Sequence, residues 1–363
     1  MKDTFGQSVS ITLTGESHGA GIVAVLSGIA PGIPVDEEFI ADQLTKRRHA
    51  GAISTSRQEG DKFEILSGVF NGFTTGTAIT ILIRNENTQS KDYSEIAVTA
   101  RPGHADYSAQ CKYHGFQDYR GGGHFSGRIT AGIVAAGAIC TSALAKKGIK
   151  IGTHIAECAG IPDRKFGDLE NDIDFLNSEL FAVLDEEAGK KMEEAILSAK
   201  TNLDSVGGIL ETAITGVPSG IGEPYFDSIE SQLAHMLFSI PAVKGVEFGA
   251  GFDFAKMPGS KANDPFYIDE NGNISTKTNN NGGINGGISN GCPITFRCAI
   301  KPTPSISLEQ ETVDFVKGEN KNFVIKGRHD PAIIHRARVV IDSAAAIVLC
   351  DILAQRFGTD WLR

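Results

Sequence analysis

Two histidines lie in short polar segments that follow predicted strands or turns. Residues 15–19 read GESHG and contain His18, and residues 101–106 read RPGHAD and contain His104. Because histidine titrates near neutral pH, each ring can donate or accept a proton during a reaction. In the second segment Arg101 can hold an anion and Asp106 can orient the ring. Either segment alone is also typical of a polar surface turn. A catalytic role for its histidine therefore depends on which other residues the fold places beside it.

A third segment, residues 120–128, reads RGGGHFSGR and leads into an apolar stretch. Consecutive glycines allow backbone N–H groups to approach a ligand closely. A helix N-terminus beside Arg120, His124 and Arg128 favours an anion, above all a phosphate. The segment has neither the GK[ST] ending of a P-loop nor the GxGxxG pattern of a dinucleotide site. We interpret it as an anion-binding loop and not as a flexible turn.

A fourth segment, residues 326–331, reads KGRHDP. Asp330 is predicted to cap a helix with Pro331 in its first turn, and Arg328 and His329 would flank that helix start. Two basic helix starts favour a ligand with two phosphates, or with one phosphate and carboxylates. The histidines and carboxylates lack metal-site spacing such as HExxH, and the chain has no GxSxG nucleophile motif.

The composition narrows the class of protein. The 363 residues carry a net charge of −10, which argues against a general nucleic-acid or membrane-surface binder. The six cysteines form no CxxC pair and are expected to be buried thiols of a cytoplasmic protein. The most apolar stretch, residues 131–145, is too short to span a bilayer and predicts a buried helix. We therefore expect no membrane and no nucleic-acid partner.

The elements that must position these segments can be predicted from periodicity. Residues 8–14 alternate strictly and residues 22–26 resume the pattern, so segment 15–19 would connect a hairpin. Asp36 is predicted to cap a helix. Residues 62–84 predict two strands joined at an Asn-Gly turn. Further on, the sequence predicts a long helix, an acidic helical region, a strand and a long loop, at residues 126–147, 168–203, 208–217 and 271–291.

The second half of the sequence resembles the first. GIAPGI at residues 28–33 matches GVPSGI at 216–221, and Asn-Gly pairs follow in both halves. Arg128 precedes Cys140 in an apolar run as Arg338 precedes Cys350. We predict an α+β fold in a single domain, residues 1–363. It would consist of two pseudo-equivalent halves, about 1–157 and 205–363, with a helical connection at about 158–204.

The four segments together resemble the chorismate synthase family. The YRGGG run at residues 119–123 and the segments SGVFNGFTTGT (67–77), AVKGVE (242–247) and GGISNG (286–291) add to the match, which runs from about residue 4 to 355. The resemblance implies a β-α-β sandwich of two similar halves and a homotetramer. It also implies a lyase that converts 5-enolpyruvylshikimate 3-phosphate to chorismate and phosphate by 1,4-elimination. Reduced FMN would be required without net redox change.

The resemblance also assigns roles to single residues. His18 would stabilise or protonate the reduced flavin, and His104 would assist phosphate departure. The proton relay around the flavin would consist of Ser17, Ser126 and Asp330. The substrate's anionic groups would be bound by Arg47, Arg101, Arg128 and Arg328. Flavin-contacting positions would be His124, Phe125, Ser126, Ala242, Gly286, Lys301, Pro302, Thr303, Pro304, Ser305 and Arg328.

Three positions depart from the common family pattern. His124 stands where that pattern has arginine, Ile129 where it has glutamate, and Ile53 where an arginine is expected. The third departure argues against a direct nicotinamide contact, so NADPH would act only as an indirect reductant.

Two alternatives come from other functional classes. The first is a non-catalytic flavin- or phosphate-binding module of the same fold, which the presence of His18, His104, Arg128 and Asp330 opposes. The second is a phosphotransferase, which the lack of a P-loop, a kinase signature and a magnesium carboxylate pair opposes.

Overall fold

The structure, a computed structural model, describes residues 3–48, 51–54, 60–86, 96–270, 272–325 and 330–363. The strands within these residues are β1 (Thr4–Phe5), β2 (Ser10–Gly15), β3 (Gly21–Ser27), β4 (Phe63–Ser67), β5 (Val69–Phe70), β6 (Phe73–Thr74), β7 (Ile79–Arg84), β8 (Lys150–Cys158), β9 (Ile161–Pro162), β10 (Gly208–Thr215), β11 (Val243–Phe248), β12 (Phe266–Ile268), β13 (Ile274–Thr276), β14 (Ile284–Asn285), β15 (Ile288–Ser289), β16 (Ile294–Ile300), β17 (Gln310–Asp314) and β18 (Glu319–Phe323). The helices are α1 (Glu37–Lys46), α2 (Asp106–Tyr113), α3 (Thr130–Ala145), α4 (Leu169–Ser178), α5 (Glu186–Thr201), α6 (Ile229–Leu237), α7 (Gly259–Ala262) and α8 (Ile334–Phe357).

Two antiparallel five-stranded sheets enclose a pair of helices. One sheet has the order β1-β2-β3-β7-β4, and the other has the order β11-β16-β10-β8-β9. Helix α3 packs on the first sheet, α8 packs on the second, and the two helices pack against each other. The predicted α+β sandwich is therefore confirmed.

Small residues allow α3 to lie this deep in the core. A Cβ added at Gly137 would lie 2.4 Å from the Cβ of Ser343 on α8, and one added at Gly132 would lie 2.8 Å from the Leu13 side chain on β2. Larger side chains at these two positions would force the layers apart. By length and composition, residues 127–145 could cross a membrane, since they extend beyond the apolar stretch predicted at 131–145. Their most apolar 18-residue window is 83% buried inside the protein, as expected for a core helix.

The two sheets share one strand order. Four strands of the first sheet lie side by side in the order β2, β3, β7, β4. Their counterparts in the second sheet lie side by side in the order β8, β10, β16, β11. In both sheets the fourth of these strands along the chain lies between the second and the third. Helices α1 and α6 occupy matching places in chain order, as do α3 and α8. The duplication itself stays a prediction; if the two sheets correspond, β8 belongs to the second half, whereas the predicted first half extends to about residue 157. Helices α4 and α5 are inserted between β8 and β10.

Most of the caps, turns and buried cysteines predicted from the local sequence are present in the structure. The Asp36 carboxylate caps α1 by accepting from the Phe39 N–H, as predicted. The Asn-Gly turn connects β5 to β6, and both turn residues adopt positive φ, 51° and 76°. The predicted loop at 271–291 contains three short strands, β13 to β15. Five cysteines are buried as predicted, but Cys111 is exposed on the solvent side of α2.

The predicted cap at Asp330 is wrong. Helix α8 begins only at Ile334, and no side chain caps it among the described residues. The Asp330 carboxylate instead accepts a hydrogen bond from Arg336 in the first turn of the helix. The arginine is a charged donor and competes successfully with the neutral backbone N–H groups for this carboxylate.

His154 joins the helical insertion to the second sheet. The ring is buried on β8, with Nδ1 2.7 Å from the Asp163 carboxylate and Nε2 3.0 Å from the Glu211 carboxylate. A carboxylate at each ring nitrogen favours the imidazolium form, in which both nitrogens donate. Burial opposes the charge, but the hydrogen bonds to Asp163 and Glu211 raise the pKa of His154 above its ordinary 6.5.

We expect His154→Gln to destabilise the protein by about 1–3 kcal/mol, because charged hydrogen bonds are lost. A raised pKa contributes stability that is complete below about 6.5 and is lost as the pH rises through the folded-state value. The deficit in urea unfolding should therefore be larger at pH 6 than at pH 9. His235→Gln, at an exposed position on α6, is the control. A deficit that does not depend on pH would contradict the charged state.

Candidate active site

The glycine run lies between the two histidines. Gly121, Gly122 and Gly123 all have positive φ, which glycine adopts without strain. A Cβ at Gly121 would lie 2.5 Å from Cδ2 of His18, and one at Gly122 would lie 3.2 Å from Nε2 of His104. The two rings therefore approach one backbone segment from positions 86 residues apart in sequence (104 − 18).

The loop that carries His18 is fixed to this run. Residues 16–20 connect β2 to β3, and the Ser17 N–H donates to the Gly123 carbonyl over 3.1 Å. Ser17 and His18 are both buried. His124 Nδ1 lies 2.9 Å from the Gly15 carbonyl at the end of β2, which fixes the ring against the same loop.

His104 belongs to a compact ion cluster at the start of α2. Its Nδ1 lies 2.7 Å from Oδ1 of Asp106, and Arg101 binds both oxygens of that carboxylate at 2.7 Å. Burial raises the pKa of Asp106, but hydrogen bonds from Arg101 and His104 outweigh it and hold the pKa well below its usual range. Asp106 is thus a permanent anion that orients the His104 ring, with Nε2 towards Gly122.

Two of the predicted anion-binding arginines share one buried carboxylate. Asp61 Oδ2 accepts from Arg47 Nη1 over 2.8 Å, and its Oδ1 accepts from Arg128 Nη1. Arg47 also donates to the Gly127 carbonyl, and Arg128 donates to Oδ1 of Asn85 over 2.9 Å. Only 3–6% of each charged side chain is exposed, so the cluster is an internal ion network.

The second half of the chain contributes the segment at residues 301–305. The Lys301 ammonium donates to the Gly103 carbonyl, and a Cβ at Gly103 would lie 3.3 Å from the Pro304 Cβ. The Lys301 N–H donates to the Ala242 carbonyl over 3.0 Å. Burial and the nearby charge of Lys244 lower the pKa of Lys301. The segment thus packs directly on the residues that hold His104.

The other predicted residues differ in their surroundings. Ser126 lies beside the glycine run, with its Cβ 3.8 Å from a Cβ added at Gly122, next to the His104 ring. The Phe125 ring packs 6.2 Å from Tyr113, and the Ser126 hydroxyl accepts from the Arg128 N–H over 3.3 Å. Gly286 lies in the turn between β14 and β15 and has a positive φ of 62°. Asp330 binds Arg336, which also donates to the Arg47 carbonyl over 2.7 Å. Arg328 lies outside the described residues.

Sequence reasoning missed Asp61, Asn85 and Arg336. Asp61 has a φ of 45° and Asn85 directly follows β7, so neither belongs to a recognisable motif. One signal was available in the sequence: buried arginines need carboxylate partners, and four arginines are predicted to belong to the site. The ligand contacts assigned to Arg47, Arg101 and Arg128 stay predictions, since all three are bonded within the protein.

Comparisons with known proteins agree with one another. A family model described as chorismate synthase matches residues 9–354. A chorismate synthase from Pyrococcus abyssi is 48% identical, covering 97% of both chains. Another from Lachnoclostridium phytofermentans is 50% identical, covering 96% of this chain and 94% of its own. A crystal structure of a chorismate synthase has a TM-score of 0.75 and 29% identity, and it covers 97% of this chain and 94% of its own.

Proposed function

Since the chain belongs to the chorismate synthase family, whose members form chorismate in the shikimate pathway, we propose that it converts 5-enolpyruvylshikimate 3-phosphate to chorismate and inorganic phosphate with reduced FMN. One observation carries the proposal: two histidines, one oriented by a permanent carboxylate, meet at a single glycine run. The non-catalytic alternative gives no reason for orienting a ring in this way.

The reaction breaks a carbon–oxygen bond to phosphate and a carbon–hydrogen bond, and a new carbon–carbon double bond forms. The departing phosphate needs charge stabilisation and a proton donor. In the proposal, His104 assists this departure, with Asp106 holding the ring in place. His18 donates a hydrogen bond or a proton to the cofactor, and the buried arginines hold the substrate's anionic groups.

The residues present fit a flavin. Thr303 has a buried hydroxyl without a hydrogen-bond partner among the described residues, so a polar atom there awaits a ligand. Gly122 has no Cβ, which lets the His104 ring lie close to the backbone of the glycine run. His124, Phe125, Ser126, Ala242, Gly286, Arg328 and residues 301–305 would hold the cofactor. Bound reduced FMN would supply a transient electron and accept the substrate's proton.

Anaerobic incubation tests the function. With reduced FMN and 5-enolpyruvylshikimate 3-phosphate we expect chorismate and phosphate in equal amounts, measured by chromatography and a phosphate assay. Oxidised FMN alone should give neither product. Equal turnover with oxidised flavin in the strict absence of oxygen would refute the flavin requirement. Binding of flavin and substrate without any product would favour the non-catalytic module.

We propose that the protein forms a homotetramer. A homotetramer would cover apolar side chains such as Phe226 and Phe252, which are 91% and 82% exposed. Ile53 is buried in the core, which supports NADPH as an indirect reductant only. We also propose a cytoplasmic location, with no membrane and no nucleic-acid partner.

A further inference from the structure

The loop that carries His18 lies beside the end of a neighbouring strand. Gly21 at the start of β3 pairs with Arg84, the last residue of β7. The next residue, Asn85, donates its backbone N–H to the Ala20 carbonyl over 3.2 Å. The Asn85 side chain therefore leaves β7 directly alongside residues 16–20.

The amide group of Asn85 holds both ends of this loop. Its nitrogen donates to the Glu16 carbonyl and to the Gly19 carbonyl, each over 2.9 Å. These two carbonyls enclose Ser17 and His18 in the sequence. A side-chain amide has two N–H donors, and both are used here.

The amide oxygen of Asn85 faces the buried ion network. It accepts from Nε of Arg128 over 2.9 Å, while other guanidinium N–H groups of Arg128 reach Asp61 and the Arg84 carbonyl. A single side chain thus connects the His18 loop to the arginine at the start of the core helix. Along this path the loop, Arg128, Asp61 and Arg47 are continuously hydrogen-bonded.

This arrangement is selective for asparagine. Aspartate would keep the acceptor for Arg128 but would turn an oxygen towards two carbonyl oxygens. Leucine would keep the shape and lose all three hydrogen bonds. Glutamine would place the same amide one methylene farther out. A buried or half-buried carbonyl or guanidinium group that loses its hydrogen bond costs free energy. We therefore expect the His18 loop to move in each variant.

We propose that Asn85 is a positioning residue, which sets the His18 ring relative to Arg128 and the glycine run without contacting ligand itself. The proposal rests on the function given above, in which His18 acts on the cofactor and Arg128 holds an anionic group of the substrate. A displacement of about 1 Å in such an arrangement can lower a rate about 10²-fold.

Asn85→Asp tests this proposal by two independent measurements. The first is the rate at which diethyl pyrocarbonate modifies His18 and His104, measured by peptide mass spectrometry on the ligand-free protein. We expect faster modification of His18 and an unchanged rate at His104. The second is steady-state kinetics with reduced FMN, where kcat should fall about 10- to 100-fold and KM should change less than tenfold.

The matched control is Asn177→Asp. Asn177 also donates its amide to a main-chain carbonyl, that of Ile151, over 2.9 Å, but it lies at the end of α4. This variant should behave like the parent in both measurements.

Two results would overturn the proposal. One is an unchanged His18 modification rate and an unchanged kcat in Asn85→Asp. The other is an equal acceleration at both histidines with a lowered melting temperature, which would show a general loss of stability. The modification experiment needs neither substrate nor flavin, so it separates this proposal from the function. A parent protein that forms no chorismate would refute only the function.

Discussion

His104→Ala should lower the rate of chorismate formation by about 10²–10⁴-fold, the usual contribution of a general acid. The ring lies beside Gly122 of the glycine run, and Asp106 orients it through a 2.7 Å hydrogen bond. His18→Ala should have an effect of the same order, because its ring contacts the neighbouring Gly121. Stopped-flow measurements with reduced FMN would give these rates.

We expect both histidine variants to fold and to bind substrate and flavin as the parent protein does. Neither histidine belongs to the hydrophobic core, so melting temperatures should stay close to that of the parent. His235→Ala, on the exposed side of α6, provides a control for histidine loss without effect on the site. A variant that turns over at the parent rate would remove its histidine from the mechanism.

The second large effect is expected for Gly121→Ala. The added methyl group would lie 2.5 Å from Cδ2 of His18 and 2.9 Å from the Ser17 hydroxyl, so the His18 loop must shift. The φ of 59° adds strain of order 1 kcal/mol for any residue other than glycine. We expect kcat to fall about 10²-fold, with a lower melting temperature.

Gly127→Ala is the matched control for this prediction. It lies in the same segment, yet apart from its chain neighbours no atom of the described residues lies within 4 Å of the added methyl group, and its φ is not positive. Activity and stability should remain close to those of the parent. Equal effects of the two substitutions would show that the contact with His18 is unimportant and that the segment simply tolerates no change.

The sequence predicted those features that depend on near neighbours. The β2–β3 hairpin, the Asp36 cap and the apolar α3 follow from alternation, capping chemistry and composition, which are local properties. The sequence also revealed the two histidine segments and the glycine run, because each is a short continuous motif of unusual composition. The prediction failed at Asp330, where a long-range charged partner replaced the local cap.

The rest of the site depends on contacts that no local pattern encodes. Asp61 meets Arg128 across 67 residues of sequence, and Asn85 meets it across 43. Both residues lie at strand ends or in turns, where polar side chains are common because they contact solvent. Their residue types therefore do not indicate a role in the site. Only the pairing of β3 with β7 reveals that Asn85 lies beside the His18 loop.

The helical insertion lies at the position in the second half that corresponds to the His18 loop in the first. The short turn of residues 16–20 joins the first two equivalent strands of one half, and residues 159–207 join their counterparts β8 and β10 in the other. An ancestral pair of identical units would have offered two such turns and two equivalent catalytic centres. Under the predicted duplication, one unit would have kept its turn and the histidine on it. The other would have replaced that turn with the helical insertion, so that two originally equivalent units would have taken on different roles.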